Sequence, residues 1–111
     1  MASEVFIVFC TFPDMETASK AVRELVEQRL AACGNLLKNV HSVYRWRGEV
    51  ESSEEVLAIL KLDSARYSEL ETKLRSLHPY DVPEIVGFPV SKGLPEYLRW
   101  VVESCSVESV R

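Results

Sequence analysis

The chain has 111 residues, 47% apolar and 27% charged, which is the size of one domain with material for one hydrophobic core rather than two. Seventeen acidic residues against 13 basic ones give a formal net charge of −4, which repels a phosphate backbone and argues against nucleic acid as a partner. The most basic string, Arg45-Trp46-Arg47, falls far short of a nucleic-acid-binding stripe, and no apolar run is long enough to span a membrane.

Three cysteines, Cys10, Cys33 and Cys105, form no CxxC pair and are odd in number, a usage that suits a reducing compartment. The opening Met-Ala-Ser-Glu lacks the basic start and small-residue cleavage site of a secretory signal, so a cytoplasmic location is expected.

The first predicted element is a strand over Val5–Phe12, a run with almost no polar break, as in strands buried on both faces. Pro13 and Asp14 end it, and Asp14 is placed to cap a helix whose Ala18, Ala21, Val22, Leu25, Val26 and Leu30 recur at three- and four-residue steps. Gly34 is expected to end that helix. In the next stretch Val40, Ser42, Tyr44 and Trp46 share one strand face, and His41, Val43, Arg45 and Arg47 the other. A turn at Gly48-Glu49 and a returning strand over Glu55–Leu62 complete a hairpin.

Asp63 or Ser64 caps a second helix carrying Tyr67, Leu70, Leu74 and Leu77, which Pro79 forbids from continuing. A last strand is expected over Glu84–Val90, with Pro89 at an edge or strand end. Pro95 opens a final short helix presenting Leu98, Val101 and Cys105 to one side, and the tail after Ser104 is expected to fray. The order strand, helix, strand, strand, helix, strand is that of a ferredoxin-like α+β sandwich with an antiparallel sheet, here with an extra C-terminal helix. One domain fills residues 1–111, with its core about 5–102. Both helices of such a fold cover one sheet face. A first strand apolar on both sides therefore implies that partner subunits cover the other, although periodicity does not separate threefold closure from a dimer.

Five strings resemble the CutA divalent-cation tolerance family: Cys10-Thr11-Phe12-Pro13-Asp14, Arg29 through Asn35, Ser42 through Gly48, Leu77 through Glu84, and Tyr97-Leu98-Arg99-Trp100. The resemblance spans about Val5 to Val102. It implies a homotrimer of ferredoxin-like subunits around a threefold axis with the hairpin reaching a neighbour, a link to metal-ion tolerance and copper above all, and a likeness to the trimeric PII signalling proteins. The chain departs from the family pattern at Gly34, where Val or Ala is common, at Arg45 and Arg47 beside Trp46, and at Leu62, where Thr is frequent.

The residues that match the family's metal site are Cys10, His78 and Glu84. A thiolate and an imidazole suit copper, Cu(I) in particular, and the carboxylate suits a harder divalent ion. Each also has a plainer reading: Cys10 as a small core hydrophobe, His78 as a helix-end cap, Glu84 as a solvated or ion-paired acid. Cys33 and Cys105 read as packing residues on helix faces. Tyr44, Trp46, Tyr80 and Trp100 are placed to wall an inter-subunit cleft, since rings with polar tips favour interfaces and pocket rims, and ordinary interface packing would use them equally. No nucleophile elbow, P-loop, HExxH or dinucleotide fingerprint occurs, so binding is expected rather than catalysis. The leading expectation is a cytoplasmic trimer binding copper or another divalent cation. The alternative is a PII-like module holding a small ligand or a partner protein between subunits.

Overall fold

A computed structural model describes residues 4–107. Strand β1 (Val5–Phe12) leads through Pro13 into helix α1 (Met15–Glu27), and Asp14 caps that helix by accepting the Thr17 amide at 2.8 Å. Strands β2 (Cys33–Trp46) and β3 (Glu49–Asp63) form a long hairpin, followed by one 3-10 turn (Ser64–Arg66) and helix α2 (Tyr67–Leu77). Strand β4 (Ile85–Pro89) and helix α3 (Pro95–Ser104) complete the chain. The sheet order is β2-β3-β1-β4 with every neighbouring pair antiparallel, the arrangement expected of a ferredoxin-like sandwich.

The core lies between the sheet and helices α1 and α2. Val8, Cys10 and Phe12 of β1, with Ala58, Leu60 and Leu62 of β3, meet Ala18 and Leu25 of α1 and Leu70 and Leu74 of α2, all fully buried. Their side chains alternate along each strand because the pleat sends every second residue to the same face. On the opposite face β1 presents Ile7 and Phe9, β3 presents Leu57 and Ile59, and β4 presents Val86 and Phe88, register partners that lie side by side. Val86 and Phe88 remain 50% and 41% exposed, and Leu37, opposite Leu57, 46%. The sheet is thus apolar on both faces and covered by helices on one.

Several boundaries differ from the sequence reading. Helix α1 ends at Glu27, not near Gly34, because Arg29 takes the left-handed conformation (φ 61°) and the Leu30 and Arg29 amides return to the carbonyls of Leu25 and Val26. This closure normally carries glycine, so an arginine hid it. Gly34 instead lies in β2, where an added Cβ would come within 2.7 Å of Val22 Cγ1 and 2.8 Å of Leu60 Cδ2. Between Leu37 and Val40 the β2 register shifts around Asn39 (φ 64°), a bulge that brings Val40, Ser42, Tyr44 and Trp46 onto the face of Leu37. The hairpin turns at Arg47-Gly48, both at positive φ, one residue before the expected pair.

Beyond the bulge most of the hairpin is exposed, and the molecule extends 48 Å along its longest axis against 28 and 22 Å across. Asp63, not Ser64, caps the turn before α2 through the Ala65 amide. Pro89 ends an edge strand, as expected. Cys105 is buried, bonded through its amide to Val102, and the Arg29 and Arg66 guanidiniums donate to the carbonyls of Ser104 and Cys105. The chain is therefore anchored one residue past Ser104, and residues 108–111 of the tail expected to fray lie outside the described residues.

Gly34→Val is expected to lower stability by about 1–3 kcal/mol, because branched carbons would be forced between Val22 and Leu60 in a filled core. A fall in the thermal unfolding midpoint checks this, and an unchanged midpoint would show that α1 lifts from β2 freely.

Candidate functional site: the end of β1 and the hairpin cleft

Strand β1 ends at Phe12 beside the segment that joins α2 to β4, and this is where the expected site residues meet. His78 follows α2 in extended conformation, as the residue before a proline should. Its ring lies flat on Phe12, with centroids 4.5 Å apart and planes 20° apart. Nε2 lies 2.7 Å from the Thr11 carbonyl oxygen, and Nδ1 accepts the Tyr80 amide at 3.1 Å. An acceptor at Nδ1 and a carbonyl partner at Nε2 define the neutral tautomer with its proton on Nε2. The imidazole thus ties β1 to the turn after α2 instead of capping the helix carbonyls.

Cys10 is fully buried one residue before Thr11, and its register partners are Ala58 and Ile85. Burial pushes its thiol up to about 12, with the carboxylates of Glu84 and Glu55 adding to the rise. At neutral pH it is protonated. Glu84 directly precedes β4 near the same strand end. Among the described residues no group of three His, Cys, Asp or Glu side chains is close enough to hold a metal ion. As folded, then, a protonated thiol and an imidazole with both nitrogens bonded do not offer a ready-made donor set.

Next to this strand end a cleft of about 590 Å³ opens between the hairpin and the turn at Tyr80. Tyr44 and Trp46 of β2 and Tyr80 line it, so three of the four expected aromatic residues come together. Trp100 does not; it packs on α3 against Tyr97, with ring centroids 5.7 Å apart. The lining also includes carboxylates not singled out from the hairpin sequence, Glu51 and Glu55 of β3. Glu55 is only 9% exposed and accepts the Tyr80 hydroxyl at 2.7 Å, which, with burial as the larger cause, pushes the Tyr80 pKa up. The signal that could have revealed these acids is the turn: once Trp46 pairs with Glu49, Tyr44 must face Glu51.

Of the other two cysteines, Cys105 meets the packing expectation and Cys33 departs from it. Cys105 is buried and accepts the Asp63 amide through Sγ at 3.5 Å. Cys33 opens β2 rather than sitting on a helix, is partly exposed, and lies 3.6 Å from the Tyr97 hydroxyl.

This geometry predicts two outcomes. Alkylation of the native protein with iodoacetamide should modify Cys33 first and leave Cys10 and Cys105 intact until unfolding, as mass spectrometry would read; early loss of Cys10 would contradict its burial. Burial holds the His78 pKa below its ordinary 6.5, outweighing the upward pulls of the Thr11 hydrogen bond and Glu55. The unfolded chain therefore takes up this proton first, so stability is full above pH 6.5, falls as pH drops below it, and levels once the folded form is protonated too. His78→Gln should flatten that part of a plot of thermal midpoint against pH.

Comparison with known proteins agrees with this architecture. The family model of the CutA1 divalent ion tolerance protein matches residues 6–104. The divalent-cation tolerance protein CutA of Thermus thermophilus is 42% identical over 98 residues, which make up 88% of this chain and 95% of that protein. The crystal structure of CutA from Xylella fastidiosa superposes with a TM-score of 0.91 at 39% identity, covering 94% of this chain and all of that one. The structure of the periplasmic divalent cation tolerance protein CutA from Archaeoglobus fulgidus superposes with a TM-score of 0.89 at 30% identity, covering 92% and 99%. With its sheet order and these similarities in agreement over nearly the whole chain, this protein belongs to the CutA1 divalent ion tolerance family.

Proposed function

We infer that the protein acts in divalent-cation tolerance as a cytoplasmic homotrimer, without catalysis, and that it meets copper or another divalent cation at the end of β1. Glu84 is the entry carboxylate in this reading. Cys10 and His78 become ligands only when the thiol loses its proton and the imidazole releases one of its two hydrogen bonds. The observation that carries the reading is the gathering of acids at this end of the molecule: Glu84 and Glu55 line the cleft beside the end of β1 that carries Cys10, and their negative field favours a cation, while burial first and these carboxylates second hold the thiol's proton. Metal uptake must then release protons, so affinity falls on acidification.

Assembly is supported by the second apolar face. Phe9 and Phe88 stack edge to face there with centroids 5.3 Å apart, beside Ile7, Ile59 and Val86, a contiguous surface of the kind that protein partners cover. The exposed hairpin, in a molecule 48 Å long, would supply the arm that reaches a neighbouring subunit. For location, the free cysteines suit the cytoplasm, whereas the Archaeoglobus relative is described as periplasmic. A non-catalytic role fits a Cys10 sulfur whose contact is the Thr11 carbonyl and not a base.

A second reading is favoured by the cleft itself, whose size and aromatic walls suit an organic molecule better than an ion: a PII-like module taking a small ligand near Tyr44, Trp46 and Tyr80.

Calorimetric titration with Cu(II), and with Cu(I) under reductant, tests the metal reading. Glu84→Gln should weaken binding, and affinity unchanged in a Cys10→Ser, His78→Ala double variant would remove both residues as ligands. Sedimentation should give three times the 12.6 kDa chain mass, with Phe88→Asp shifting the population to single subunits by placing a charge in the apolar face. A lone wild-type subunit at micromolar concentration would overturn the assembly.

A further inference from the structure

The cleft beside the hairpin has a chemistry more specific than its size, and the class of molecule it selects rests on the small-ligand reading rather than on the metal one. Tyr44 and Trp46 present rings that are 40% and 44% exposed. Four carboxylates join them in the lining, and no lysine or arginine does. Glu55 is the informative one. It is only 9% exposed, it lines the cleft, and one of its oxygens accepts the Tyr80 hydroxyl. A carboxylate largely withdrawn from water is stabilised by a further donor or by a cation beside it. Trp46 already attracts a positive group, since the Arg47 guanidinium lies 5.6 Å from its ring centre.

The geometry points to the cleft between the β2–β3 hairpin and the Tyr80 turn as a binding site for an organic ammonium ion, its charged head donating to Glu55, its apolar body lying against Tyr44 and Trp46, and Glu51 adding to the negative field along the cleft. Other ligand classes fit less well. Anions meet four carboxylates in the lining, a negative excess that remains even with the Arg47 guanidinium at the Trp46 ring. A neutral aromatic molecule fills the space but leaves the four lining carboxylates without an opposite charge. A bare divalent ion needs donors converging on one point, and the acids here are too dispersed for that. An ammonium with an aromatic or methylene body spreads its charge and its contact area over the separation that the cleft provides.

The test uses the full-length protein carrying Trp100→Phe, which leaves Trp46 as the sole tryptophan, in buffer containing EDTA. Phenethylammonium, its neutral counterpart phenethyl alcohol, and phenylacetate are titrated while Trp46 fluorescence is read. Saturable quenching is expected from the ammonium at roughly tenfold lower concentration than from the alcohol, with no response to phenylacetate. Glu55→Gln, which keeps an acceptor for Tyr80, and Glu51→Gln, at an exposed position, should each weaken the ammonium and leave the alcohol unchanged. Equal binding of the ammonium and the alcohol, or an ammonium affinity untouched by Glu55→Gln, would overturn the ammonium assignment while leaving a small-ligand site in place. No response to any of the three probes, from protein with native circular dichroism, would overturn the assignment and the small-ligand reading together.

Discussion

Strand β1 is hydrogen-bonded on both sides, to β3 and β4, and it is apolar on both faces, a combination that constrains everything around it. One face is satisfied within the subunit by α1 and α2, which bury Val8, Cys10 and Phe12 completely. The other face carries Ile7 and Phe9 into a surface continued by Leu57, Ile59, Val86 and Phe88. Water contact with such a surface is costly at about 25 cal/mol for each Å² of apolar area, so the same strand that builds the core also leaves an apolar face suited to a partner. The core and this second apolar surface are thus two consequences of one eight-residue segment.

The end of β1 also determines where chemistry can occur. The Thr11 carbonyl holds the His78 ring, and that ring in turn holds the Tyr80 amide. The Tyr80 hydroxyl then reaches across to Glu55 on β3. This relay fixes one wall of the cleft, while the hairpin supplies the other. A histidine used in this way is a structural tie first, and its availability to a metal depends on loosening the tie. Cys10 obeys the same logic, because burial that makes it a good core residue keeps its thiol protonated.

Acidic residues gather at this end of the molecule, where Glu51, Glu55, Asp81 and Glu84 share the cleft lining. Their combined field attracts positive charge whatever its carrier, which is why a metal cation and an organic ammonium are both natural readings of one surface. They differ in geometry. A metal requires donors drawn together at the strand end, whereas an ammonium is served by acids and rings spread along the cleft.

The sequence by itself determined the order of the elements, the cap at Asp14, the helix start at Pro95, the edge position of Pro89, and the two-faced apolarity of β1, because these arise from local periodicity and from residues with restricted backbones. Family resemblance supplied Cys10, His78 and Glu84 as residues to watch, and alternation placed Tyr44 and Trp46 on one face. Only the tertiary structure decided what those residues touch. The end of α1 was obscured because Arg29 takes a conformation usually left to glycine, and the bulge at Asn39 carries no warning in composition. The double hydrogen bonding of His78, the burial of Glu55 beneath Tyr80, and the separation of Trp100 from the cleft all depend on segments far apart in the chain. Periodicity reports a residue's face; the contacts on that face come from whichever element the fold brings against it.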